Sequence, residues 1–205
     1  MIPTRSIRIV LVTAVVLGSA LPAAAQTLGR IGVGGSVTFN NTTDSDVGTA
    51  ITFGPLVRLN PRPGWGFAGA FNWYWADLKN PAGGDDDFAR LTVKPFMGGI
   101  GYTFGPPKTL VNLSVVMGPS FNRAYFQDGF PDASGSSIEA KTSFAIRPGI
   151  SVTQTLAPRV GFTAYGGYMV NRPDVTYRSN TGQQVADRWR ADSIVLSVGM
   201  VYSVF

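Results

Sequence analysis

The chain has 205 residues, with 17 Lys and Arg against 12 Asp and Glu, no His and no Cys. Charged residues make up only 14% of it, about half the share of an ordinary soluble domain. The missing Cys excludes a disulfide framework and a lipid-modified N-terminal Cys, and a mild net charge of +5 without a basic run gives nucleic-acid binding no footing.

Residues 1–25 read as a secretory signal: Arg5 and Arg8 form a positive start, residues 9–25 carry no charge, and Ala23-Ala24-Ala25 offers small residues for cleavage before Gln26. Gly18, Ser19 and Pro22 interrupt the apolar run, which is short for a membrane helix of about 20 residues. Removing 25 of 205 residues leaves 180, enough for one domain, and no later segment is an apolar run of helix-spanning length. Low charge, 25 glycines and many aromatics, with no helical span, fit a membrane β-barrel, whose apolar residues are spread over alternate positions of many short strands.

Alternation with period two recurs along the mature chain and predicts eight strands. Residues 30–40 set Ile31, Val33, Val37 and Phe39 against Gly32, Gly34, Ser36 and Thr38, and residues 49–60 set Ile51, Phe53 and Val57 against Thr52, Gly54 and Arg58. In 65–76, Trp65, Phe67, Phe71, Trp73 and Trp75 share one face, with Ala68, Ala70, Asn72 and Tyr74 on the other. In 88–104 the phase of Leu91, Val93 and Met97 opposes that of Ile100, Tyr102 and Phe104. A β-bulge at Gly98-Gly99 would reconcile them. Residues 109–122, 139–153, 159–171 and 193–204 repeat the pattern around Leu113 and Val115, Phe144 and Ile146, Phe162 and Tyr168, and Val198 and Met200. Pro55, Pro95, Pro119 and Pro148 fall inside these strands and are expected to make bulges or weak points.

The connections alternate long and short. Those at 61–64, 105–108 and 154–158 are tight and rich in Gly and Pro, whereas those at 41–48, 77–87, 123–138 and 172–187 are long and polar. Outer-membrane barrels show this asymmetry, with short periplasmic turns and long external loops. Volume argues that the aromatic face meets lipid: an eight-stranded interior barely holds its own side chains, and five large aromatics from one strand would overfill it. Trp65 to Trp75 spans ten steps, which at a tilt near 40° is roughly 25 Å, about the height of the apolar band. Trp65, Trp73 and Trp75 are therefore expected at its interfaces.

On the small, polar face fall Arg58, Arg90, Lys94, Lys141 and Arg147, with Glu139 as the one acid clearly in phase and Asp192 ambiguous. Such interior cations need water, or hydrogen bonds to Asn72, Tyr74, Asn112 and Tyr165. Asp85-Asp86-Asp87 offers carboxylate oxygens to a divalent cation, although a solvated loop tip needs none, and no metal or cofactor is expected.

Residues 96–104 (Phe-Met-Gly-Gly-Ile-Gly-Tyr-Thr-Phe), the Ala23-Ala24-Ala25 signal and the end Val198 to Phe205 together resemble the small eight-stranded outer-membrane barrels. That group includes the transmembrane domain of outer membrane protein A and the porin-like "outer membrane protein β-barrel domain" families. The resemblance covers the whole mature chain. It implies an all-β, antiparallel up-and-down transmembrane barrel in the cell outer membrane, with lipids and lipopolysaccharide as neighbours. It also implies a C-terminal signal, Tyr202 and Phe205, read by the barrel-insertion machinery, although Phe205 is out of phase with Tyr202, Met200 and Val198. A chain without His or Cys has no evident general base or nucleophile, so a non-enzymatic protein is expected. It is expected to be a monomer. Its expected role is in envelope integrity or surface interaction through four external loops. The alternatives are a narrow, weakly anion-preferring pore and a soluble periplasmic lipocalin-like carrier.

Overall fold

The computed structural model describes residues 31–43, 49–59, 63–79, 87–126 and 136–204, so the signal segment, Asp85, Asp86 and Phe205 lie outside the described residues. The described chain is all strand and turn. In order the strands are β1 (Ile31–Thr42), β2 (Ala50–Leu59), β3 (Gly64–Phe71), β4 (Tyr74–Lys79), β5 (Asp87–Phe104), β6 (Thr109–Phe126), β7 (Ser137–Ala140), β8 (Ser143–Ala157), β9 (Val160–Asn171), β10 (Asp174–Arg178), β11 (Gln184–Arg188) and β12 (Ser193–Ser203).

Eight antiparallel passes are built from β1, β2, β3 with β4, β5, β6, β8, β9 and β12. Their hydrogen-bonded order runs β2-β1-β12-β9-β8-β6-β5-β3, with β4 also on β5. The first pass pairs with the last, Val37 opposite Val198, which rolls the sheet around into a barrel. Among the described residues, the junction between β2 and β3 carries no ladder, although β2 lies alongside both β3 and β4. β7, β10 and β11 form a separate three-stranded sheet at the end of the long connections. The connection expected at 172–187 is therefore a hairpin, turned at Gly182, and the expected strand 139–153 is split at Lys141-Thr142.

The tight turns at the opposite end depend on left-handed backbone. Gly105 has φ 116°, where a side chain is strained, and a Cβ there would stand 2.4 Å from the Thr109 carbonyl oxygen. Arg159 adopts φ 70° in the turn between β8 and β9.

Each pass exposes large apolar side chains on one phase, including Val33, Phe53, Phe67, Phe96, Leu113, Ile150, Tyr168 and Val198. In water such a surface would be strongly destabilising, whereas against lipid it costs nothing.

Two expectations are corrected. The β5–β6 ladder keeps one register from Ala89↔Phe126 to Phe104↔Val111, so there is no bulge at Gly98-Gly99. The prolines shift no register either: Pro55 opposes Gly35, Pro119 opposes Phe144 and Pro148 opposes Val115 in unbroken phase. Pro95, Pro119 and Pro148 act as the expected weak points, since the β5–β6 ladder lacks pairs at Pro119 and Gly118 and the β8–β9 ladder lacks them at Arg147 and Pro148, and the strongest case is Pro95. It has no N–H to donate, and beside it the expected strand 65–76 parts into β3 and β4 at Asn72-Trp73 while keeping its register.

Candidate functional site

Because β5 is regular, Leu91, Val93 and Met97 point into the lumen, and Arg90 and Lys94 share the outward phase of Phe96 and Ile100. The two cations are thus removed from the expected interior set. Arg90 Nε bonds the Asp77 carboxylate at 2.6 Å on the neighbouring β4, and Lys94 Nζ stands 4.4 Å from the Trp73 ring centre. Glu139 and Lys141 are exposed near the outer sheet, because the break at Lys141-Thr142 reverses the phase between β7 and β8. The Arg58 side chain lies outside the described residues, and its backbone opposes Gly32.

Arg147 is the expected cation that the structure does place in the lumen. It is 7% exposed and reaches from β8 to the Asn72 Oδ1 at 2.8 Å, with its guanidinium carbon 5.0 Å from the centre of the Tyr165 ring. Two glycines make this possible. A Cβ on Gly149 or Gly167 would come within 2.2 Å of the Tyr165 hydroxyl, so the ring can lie on the β8–β9 wall only where both side chains are missing. Among the described residues Arg147 has no carboxylate partner. Its charge is held by an amide oxygen and an aromatic face.

On the short-turn side of Arg147 the lumen is hollow, with Ser, Thr and Asn set among apolar side chains. A cavity of about 630 Å³ is walled by residues including Ser36, Asn112, Ser114, Ser151, Thr163 and Ser197, and reaches the β2–β3 junction at Val57 and Phe67. Wall residues satisfy one another: Asn112 Nδ2 donates to Thr103 Oγ1 at 2.9 Å, and the Thr153 and Thr163 hydroxyls meet at 3.0 Å.

On the long-connection side the lumen is filled. Tyr74, Leu91, Val93, Met169 and Val195 are at most 1% exposed and pack with Ala76, Ala89 and Ala145. Beside them Ser120, Asn122, Ser143 and Asn171 close a ring of hydrogen bonds across β6, β8 and β9, from Asn122 Nδ2 to Ser143 Oγ at 2.8 Å and from Asn171 Nδ2 to Ser120 Oγ at 3.1 Å. Asp192, ambiguous in sequence, is buried here. It accepts from the Asn171 backbone N–H at 2.9 Å and from Arg172 Nη2 at 3.0 Å. The sequence reading missed this plug. The signal that could have found it is the uninterrupted odd-numbered phase of Leu91 through Thr103.

Trp65, Trp73 and Trp75 are all at least half exposed on the outward side, with Trp65 edge-on to Tyr102 at 5.3 Å. Tyr202 also faces outward. No group of three or more metal-ligating side chains gathers among the described residues.

A family model described as "Outer membrane protein beta-barrel domain" matches residues 10–155. No curated protein matches the chain. Among solved structures, the outer membrane protein OprG from Pseudomonas aeruginosa superposes with a TM-score of 0.70 at 13% identity, covering 88% of this chain and 98% of that one. Neisserial surface protein A matches with 0.51 at 18% identity over 87% and 99% of the two chains. Outer membrane protein W of E. coli matches with 0.51 at 15% over 87% and 99%. At these identities the likeness is one of fold.

Proposed function

The chain belongs to the outer membrane protein beta-barrel domain family and sits in the outer membrane, and from that premise we propose that it is a non-enzymatic monomer that acts through the surface at its outer end and is closed to steady ion flow. The observation that carries this is the packed layer of Tyr74, Leu91, Val93, Met169 and Val195 across the outer half of the lumen. An ion crossing that layer would lose its hydration against mostly apolar side chains, with little beyond the Tyr74 hydroxyl in return. The sheet of β7, β10 and β11 beyond it, with Val185 exposed on the last strand, gives the outer end a structured surface for contact. The non-enzymatic assignment is supported by a chain without His or Cys.

Planar-bilayer recording of the pure protein tests the closed lumen. The wild type should show no large, steady conductance, and a Leu91→Ser, Val93→Ser double variant should show frequent openings. Large steady currents from the wild type would overturn the proposal. A narrow anion-preferring conduit has one observation in its favour, the cavity that ends at Arg147. If small events occur, Arg147→Gln should reduce their anion preference.

A further inference from the structure

The cations expelled from the interior gather on one outward patch. In the β5–β6 ladder Arg90 opposes Tyr125, Thr92 opposes Arg123 and Lys94 opposes Phe121. Arg123 therefore sits diagonally between the two β5 cations, at a spacing of about 7–8 Å. Lys141 follows on the far side of β6, where its carbonyl accepts from Asn122 Nδ2, and its side chain is exposed. Among the described residues, Asp77 is the acid paired into this group, through Arg90. Among the described residues no ion pair occupies Lys94, Arg123 or Lys141.

The position of the patch is as telling as its charge. It lies at the long-connection ends of β5 and β6, starting level with Phe121 and immediately beyond Phe96, which close the apolar band. Trp73 and Tyr125 stand within it, as aromatic residues do at a membrane interface. At their other ends the same two strands turn Tyr102, Phe104 and Leu113 outward, with no cation among them.

We propose that Arg90, Lys94, Arg123 and Lys141 form a docking site for the phosphorylated headgroup of lipid A, the lipid anchor of lipopolysaccharide, in the outer leaflet. Arginine matches phosphate oxygens in a bidentate fork, and the lysines add point charges on either side. The acyl chains would then lie along Phe96, Phe121 and Phe144, which are exposed directly beneath. Cations spread on both sides of Arg123 suit a headgroup with two phosphates better than a glycerophospholipid with one.

The test uses the refolded mature protein in neutral-detergent micelles, titrated with bisphosphorylated lipid A and followed by native mass spectrometry. The Lys94→Gln, Arg123→Gln, Lys141→Gln variant, which keeps the Arg90–Asp77 pair, should bind at least about tenfold more weakly. Lys108→Gln, in a turn at the opposite rim, should bind like the wild type. A gel shift between unboiled and boiled samples reports folding. If the triple variant fails to fold, Arg123→Gln alone should weaken binding by about threefold. Phosphate-free lipid A should bind poorly to the wild type. Undiminished binding by the variants, equal binding of phosphate-free lipid A, or full displacement by phosphatidylglycerol at equal phosphate would each overturn the site.

Discussion

The two halves of the lumen are built on the same strands yet solve different problems. The outer half is packed with Leu91, Val93, Met169 and Val195 and tied by the Ser120, Asn122, Ser143 and Asn171 ring. The inner half is walled by Ser and Thr together with Leu56, Ala68, Ala70 and Val116, and left with a cavity of about 630 Å³. One half contributes stability through close packing. The other leaves its centre unfilled. The difference teaches that a lumen need not have a single character.

The sharpest way to break this comparison is to cut one side chain back to alanine in each half. Leu91→Ala removes a fully buried side chain from the plug and should cost about 2–5 kcal/mol in urea unfolding in lipid vesicles. Ser151→Ala, on the cavity wall, should stay within about 0.5 kcal/mol. Equal losses would mean that the cavity is as tightly packed as the plug.

The outward surface supplies a second contrast of nearly the same size. Phe71→Arg places a charge on the exposed, lipid-side phase of β3 and should cost about 2–4 kcal/mol if it lies near the bilayer midplane. Its neighbour Ala70→Ser faces the lumen cavity and should change little. A reversed order would turn the barrel inside out.

The smallest expected effect sharpens the boundary between the halves, where Arg147 lies on Tyr165. Gly167→Ala puts a methyl group 2.2 Å from the Tyr165 hydroxyl and 2.8 Å from the Pro148 carbonyl oxygen. The ring must leave its seat, at a cost of about 1–3 kcal/mol. Gly54→Ala meets nothing within 4 Å and should be neutral or mildly stabilising in the same unfolding assay. The pair separates a glycine needed for close approach from one that is dispensable.

The amino-acid sequence by itself determined the eight passes, the alternation of tight and long connections, and the relative phase of residues within the uninterrupted strands, whereas in 88–104 and 139–153 the phase was settled by the continuous β5 register and by the break at Lys141-Thr142. Backbone pleating enforces that phase whatever surrounds it. It also placed Trp65, Trp73, Trp75 and Tyr202 on the aromatic phase that the structure turns outward, and Arg147 with Asn72 and Tyr165 on the other. Only the tertiary structure decided which apolar residues meet lipid and which meet one another. Leu91 and Phe96 are both apolar and both suited to a strand, and lipid and a packed lumen are equally apolar surroundings, so residue type cannot assign the side. An assumption that every apolar side chain faces outward required a bulge at Gly98-Gly99 and drew Arg90 and Lys94 inward. The continuous β5–β6 register sends Leu91 into the plug and both cations to the outer rim. Phase is a local property of one strand. The side it faces is fixed by its neighbours, and those come together only when the sheet rolls up.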